Sequence, residues 1–375
     1  MQQTVKCALF IVIVSLFIVP SEVLSADNFV EIVNLPSQVL PPIIPDDNPI
    51  TKEKVALGRK LYFDKRLSAD DTVSCATCHD PKFAFADGKA LAEGIKGKKG
   101  ARNSPTALNA AFYDFQFWDG RAETLEEQAR QPLINPVEMG MKDHDELVKK
   151  LQGIKEYSES FEKVFGTREF TIDQIVRAVA SFERTLVTFN SPFDRSIAGD
   201  KDAISESAKR GWKLFNEKAR CNNCHGFVES YPFFTDNKFH NVGVGAKNIG
   251  NKGFEELAKR AETENDIAGL AHEKGASELG RFLVTKERKD IGAFKTPGLR
   301  EIALTAPYMH DGSETTLEAV IDFYNKGGEQ NRFLDGGIRP LDLSKEEIRD
   351  LVEFLKTLTS DDFVRLQKEF AHDME

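Results

Sequence analysis

Apolar residues along this chain recur mostly at three- and four-residue steps, the spacing that lines one face of an α-helix. The pattern predicts helices over Leu125–Gln131, Asp145–Leu151, Ile172–Thr188, Thr316–Tyr324 and Lys345–Leu358, several opened by Asp, Ser or Thr as caps. Ser344, with Glu347 three residues on, is a capping box ahead of the last of these. Two further amphipathic stretches run over Lys54–Phe63 and Ala208–Phe215. Long alternating strand runs are absent, so the expected fold class is all-α, with Pro- and Gly-containing loops between helices.

At the start of the chain, Lys6 precedes an apolar run from Cys7 to Val19, followed by Pro20, a polar turn and Val23-Leu24-Ser25. A charged start, a short hydrophobic core and small residues near a cleavage point predict a secretory signal peptide over residues 1–25. The alternative is an uncleaved anchor, but the 13 apolar residues fall short of the roughly 20 that span a bilayer. No later stretch is long and apolar enough to cross one. The mature chain is expected to be exported, periplasmic in a bacterium, with no membrane span after cleavage.

With 375 residues, 41% apolar and 29% charged, the composition is globular and the length suggests two domains. Fifty basic residues against sixty acidic ones leave a formal charge of −10, which argues against nucleic acid as a partner and leaves basic proteins open. Removal of the leader takes Cys7 with it, and the five cysteines become four. All four lie in two copies of one motif, Cys75-Ala76-Thr77-Cys78-His79 and Cys221-Asn222-Asn223-Cys224-His225.

A Cys-x-x-Cys pair in an exported protein can be a disulfide, a redox pair or half of a zinc site. The histidine after each pair decides. With 7 His in the chain, chance would place one after both pairs with a probability on the order of 10⁻⁴–10⁻³, whereas c-type haem attachment requires it. Two thiols at this spacing meet the two vinyl groups of one porphyrin, and the adjacent imidazole reaches its iron. Two covalently attached haem c groups are expected, one on Cys75, Cys78 and His79, the other on Cys221, Cys224 and His225. The 28 Phe side chains suit such packing, since phenyl rings bring no competing ligand.

Downstream of each motif a second match appears. Asn103-Ser104-Pro105-Thr106 runs on to Trp118-Asp119-Gly120-Arg121, and Lys295-Thr296-Pro297-Gly298 runs on to His310-Asp311-Gly312-Ser313, with 13 residues from the proline to Trp118 or His310 in both. The expected organisation is an internal duplication of a cytochrome-c-like haem domain: residues 26–195 and residues 196–375, after the leader. Trp118 and His310 stand at equivalent positions, so the two haems are expected to differ in role. The second copy carries extra, charged material around Gly243–Arg281, with a helical stretch near Phe254–Thr263. It is expected to be a surface excursion.

These motifs, together with Val137-Glu138-Met139 and Leu304-Thr305-Ala306-Pro307-Tyr308-Met309-His310, resemble the bacterial di-haem cytochrome c peroxidases and their MauG relatives, over about residues 50–360. The resemblance implies that peroxide binds at the N-terminal haem, whose proximal ligand is His79. The C-terminal haem, on His225, would receive electrons from a small donor such as a cytochrome c or cupredoxin. It also implies a tryptophan between the haems (Trp118), a distal glutamate that moves the peroxide proton (Glu138), a distal-pocket glutamine (Gln128) and a histidine facing the second haem region (His310). Asn103, Thr305 and Pro307 match the family's calcium site, for one calcium ion. The family often forms dimers; no interface is readable in this sequence.

Two departures bear on function. Peroxidases that need reductive activation cap the resting first iron with a histidine on the loop after the first motif, and here Asp80 to Arg102 contains none. The first haem is therefore expected to be open at rest. Those peroxidases also place a methionine 14 residues after the position of His310; here that residue is Tyr324, as in MauG. A phenolate ligand should lower the potential of the second haem and favour ferric iron. The leading expectation is reduction of hydrogen peroxide to water. The alternatives are MauG-like oxidation of a residue on a partner protein and a non-catalytic di-haem electron carrier. His144, His272 and His372 are expected to be ordinary surface or loop histidines; His240, which follows the second motif, is expected to be a satisfied loop histidine, the alternative being contact with a haem propionate.

Overall fold

A computed structural model describes residues 21–374. The expected signal peptide, with Cys7, falls outside the described residues except for its last few positions, which open a helix over Ser21–Val33. Among the described residues no helix is long and apolar enough to cross a membrane. The chain is mostly helical; its only sheet there is one antiparallel pair, Phe239 opposite Lys295 and His240 opposite Phe294.

Two helix crossings organise the molecule. The first helix, Lys52–Phe63, is capped by the Thr51 hydroxyl, which accepts from the Lys54 N–H, and it packs on Ile172–Glu183. A Cβ added to Gly58 would lie 1.8 Å from the Ala178 carbonyl oxygen, so the two backbones meet only because residue 58 has no side chain. The second helix, Glu206–Asn216, is capped by Ser205 and packs on Lys345–Lys356. There a Cβ on Gly211 would lie 2.0 Å from the Asp350 carbonyl oxygen. The capping box expected at Ser344 and Glu347 is present. Each Gly-bearing helix leads into a Cys-x-x-Cys-His segment, a helical turn at Cys75–Cys78 and a 3₁₀ turn at Cys221–Asn223.

The loops beyond the motifs also match. Residues 116–122 and 308–314 each close through an antiparallel bridge, Gln116 with Ala122 and Tyr308 with Glu314. Left-handed backbone recurs at corresponding positions: Asn109 and Glu301, Phe117 and Met309, Gly120 and Gly312.

Buried apolar residues form two main clusters, one around Leu61, Tyr62, Phe161 and Phe182 and the other around Phe193, Phe215, Phe234 and Phe354. The C-terminal helix Asp361–Phe370 packs into the first of them, with Phe370 against Phe63, Phe85 and Phe182. Arg59 reaches Asp373 at the chain's end.

The material around 243–281 is not a surface excursion. It forms a helix Val244–Ala261, kinked at Gly250, then Ile267–His272 and a 3₁₀ turn Ala276–Leu279. These elements bury a cluster of their own, with Phe254, Ala258, Leu270, Leu279 and Phe282 at its centre. Hydrogen bonds then tie the segment to the region between the motifs: the Arg102 guanidinium donates to the Ser277 carbonyl, and the Arg281 guanidinium to the Gly120 carbonyl.

Candidate functional site

Each Cys-x-x-Cys-His motif lines a cavity. One, of about 540 Å³, is bounded by Cys221, Cys224, His225, Met309, His310 and Tyr324. The other, of about 170 Å³, is bounded by Cys75, Cys78, His79, Gln128, Glu138 and His272. Trp118 and Asn103 line both, so Trp118 stands in the wall between the two motifs.

The two motif histidines are held alike. His79 Nδ1 lies 3.2 Å from the Phe85 carbonyl oxygen and His225 Nδ1 lies 2.8 Å from that of Phe234. A carbonyl on Nδ1 fixes the ring and its tautomer and leaves Nε2 free to ligate a metal. Burial pushes both imidazoles below the usual histidine range, towards the neutral form that binds iron. The four cysteines are unpaired. Burial pushes the Cys78 and Cys221 thiols up to about 12, opposite to the lowered pKa of a redox-active Cys-x-x-Cys pair.

A model of the di-haem cytochrome c peroxidase family matches residues 52–202. Over 329 residues the chain is 37% identical to the cytochrome-c peroxidase IdrP1 of Pseudomonas sp. (strain SCT), which covers 86% of each. The chain belongs to the di-haem cytochrome c peroxidase family. Membership makes it a peroxidase-type oxidoreductase of a family that carries two c-type haems. This di-haem peroxidase is also 41% identical over 318 residues to the methylamine utilization protein MauG of Methylorubrum extorquens, covering 84% of this chain and 81% of that one. The crystal structure of a MauG-like protein associated with microbial copper homeostasis resembles it with a TM-score of 0.74 at 32% identity, over 88% of this chain and 96% of that chain.

The donor sets of both cavities fit a haem. Besides thiols and a neutral imidazole, a porphyrin needs cations for its carboxylates. Arg102 and Arg121 line the smaller cavity and share buried Asp119, at 2.6 Å and 3.0 Å. Burial alone would raise Asp119, but the two guanidinium groups hold it at about 2. Two cations on one carboxylate leave positive charge on the wall, and Arg102 Nε has no partner. In the larger cavity Lys295 sits 4.5 Å over the Tyr113 ring without an ion pair, and burial lowers its ammonium to about 8. None of these three cations was singled out from sequence, although Arg121 and Lys295 lie within the quoted motifs and Arg102 immediately precedes one.

Tyr324 lies in the last turn of the helix Leu317–Asn325 and lines the larger cavity with His225. Burial pushes its phenol well above the usual tyrosine range. His310 lines the same cavity, but its Nε2 is 2.8 Å from Glu278 and its ring stacks on Phe294 at 3.6 Å. Thr305 and Pro307 also line the larger cavity. The Asn103 amide NH₂ donates to the Lys89 carbonyl, which leaves Oδ1 as its ligating end.

Among the other histidines, His240 is the satisfied loop residue expected. Its ring nitrogens lie 2.7 Å from Asp335 and 3.0 Å from Asp236. Cys224, Asp236 and His240 bring ligand atoms within 4.8 Å of one another, but both His240 nitrogens are already taken up by the two carboxylates. His144 contacts the Arg130 carbonyl. His272 departs from expectation: half-buried, it lines the smaller cavity with its ring nitrogens shielded and Nε2 3.2 Å from Glu138 Oε1. Glu183, on the same wall, is a second unforeseen acid. One of its oxygens has no partner, and burial pushes its carboxyl up to about 8.

Proposed function

We propose that this chain is an exported di-haem peroxidase that reduces hydrogen peroxide to water with electrons from a small redox protein, a cytochrome c or a cupredoxin. The observation that carries the reading is Trp118 in the wall of both cavities, with Glu138 and Gln128 on the smaller side. When bound, the haems supply the iron that takes up and cleaves peroxide and the iron that relays electrons. His79 would hold the first and His225 the second.

The overall reaction consumes one peroxide, two electrons and two protons and yields two waters. Glu138 takes the proton from the inner peroxide oxygen and returns it to the outer one, which leaves as water. The Gln128 amide orients the bound peroxide. Trp118 shortens the path of electrons across the wall. Asn103, Thr305 and Pro307, which line the larger cavity together, would hold one calcium ion through oxygen atoms, the ligand type that suits it. The matching glycine crossings and loops support two haem domains, 26–195 and 196–375, derived by duplication. The leader over 1–25 supports a periplasmic location.

Turnover of peroxide with a reduced small cytochrome, started from the fully oxidised protein, tests this reading. Immediate turnover supports it. A lag that disappears on prior reduction of the second haem contradicts an open first pocket.

A second reading is peroxide-dependent oxidation of a residue on a partner protein, favoured by Tyr324 in the larger cavity where activation-dependent peroxidases have methionine. A long-lived optical change after peroxide alone, discharged by the partner and not by a small cytochrome, would select it.

A further inference from the structure

The segment around 243–281 reaches both cavities. Glu278 holds His310 at 2.8 Å on the larger side, and six positions earlier His272 meets Glu138 at 3.2 Å on the smaller. Both ring nitrogens of His272 are buried, and neither makes an aligned hydrogen bond. A buried imidazole without partners is costly unless a group in the cavity uses it. Glu138 is pinned by its backbone, its carbonyl accepting from the Ile95 N–H at 2.9 Å and its N–H donating to the Asn135 carbonyl at 3.1 Å. Its carboxylate is the part left to be aimed.

We propose that His272 is the positioning residue for Glu138. A small turn of the imidazole donates its N–H to Oε1 and presents Oε2 to the peroxide. His272 keeps its own proton throughout; the proton that moves goes from the inner peroxide oxygen to Oε2 and on to the outer oxygen, so the pair is unchanged at the end. The arrangement does not need a histidine on the loop after the first motif. The segment that supplies it is anchored to the wall through Ser277 and Glu278, which ties the geometry of the peroxide pocket to the larger cavity.

This rests on the reading of the His79 cavity as the peroxide site. The test uses the ferric di-haem protein, as wild type, His272→Phe and His272→Gln. It measures the rate of the optical change on adding peroxide and the rate of cyanide binding. Cyanide arrives as HCN and must lose its proton in the pocket, so it reports on the same carboxylate without turnover. In His272→Phe both rates should fall about tenfold or more, the scale of a misplaced proton acceptor. His272→Gln, which keeps an N–H donor, should retain most of both, and the resting spin state should be the same in all three. Unchanged rates in His272→Phe, or equal losses in both variants, overturn the proposal. So does a low-spin first haem that becomes high-spin on substitution, because His272 would then be an iron ligand. A wild-type protein inert to peroxide contradicts the peroxide reading instead, and the cyanide rates still decide the role of His272.

Discussion

The indole Nε1 of Trp118 donates to the carbonyl oxygen of Asn103 at 2.9 Å. The Asn103 N–H in turn donates to the His310 carbonyl, and the Trp118 carbonyl accepts from the Lys295 N–H, both at 2.8 Å. Segments distant in sequence thus lock one oxidisable ring into the wall that both cavities share. The same bonds place the expected calcium ligand Asn103 directly behind it.

Trp118→Phe keeps an aromatic ring but loses the donor and the indole. The unsatisfied Asn103 carbonyl should cost about 1–3 kcal/mol of stability, seen as a lower Tm. Donor-supported turnover should fall while the resting spectra of both haems stay as they are. Wild-type turnover in this variant would remove Trp118 from the electron path.

Glu183 makes stability fall with pH. Its folded pKa of about 8 stands above the ordinary 4.5, so the folded chain keeps a proton that the unfolded chain releases. The associated stability is fully present below about pH 4.5, declines as pH rises, and is gone once pH passes 8. Glu183→Gln should flatten this profile and be more stable than wild type at pH 8 by on the order of a few kcal/mol. Denaturant unfolding at several pH values measures it.

Gly58→Ala and Gly211→Ala should each destabilise by about 1–3 kcal/mol or more, because the new methyl meets a carbonyl oxygen rather than a movable side chain. Similar losses at both sites, measured by denaturant unfolding, would match the similar geometry of the crossings.

Tyr324→Met should raise the potential of the second haem, since a neutral thioether replaces a phenolate that favours ferric iron. Reductive titration measures the shift. An unchanged potential would mean that Tyr324 only packs against the cofactor.

What could be read from the chain was local. The two Cys-x-x-Cys-His motifs carry their chemistry in five consecutive residues, and the helices follow from periodicity and caps such as Ser344 with Glu347. The 13-residue spacing to Trp118 and His310 aligned the matching loops. His272 escaped because nothing near it in sequence is apolar-periodic or motif-like; it reaches Glu138 only through the fold of a segment 134 positions downstream of it. Glu278 escaped for the same reason, and Glu183, although inside a predicted helix, escaped because only its burial sets it apart from other helical acids. The return of Phe370 to the first aromatic cluster is likewise a tertiary contact that no pattern in the last helix announces.

The most direct test of the account is the electron paramagnetic resonance spectrum of the resting, fully oxidised di-haem protein. An open peroxide pocket on His79 beside a second haem ligated by His225 and Tyr324 predicts a high-spin ferric signal together with a low-spin one, the latter altered in Tyr324→Met. Two low-spin signals and no high-spin iron would contradict it, and would leave a protein that only carries electrons or must first be activated.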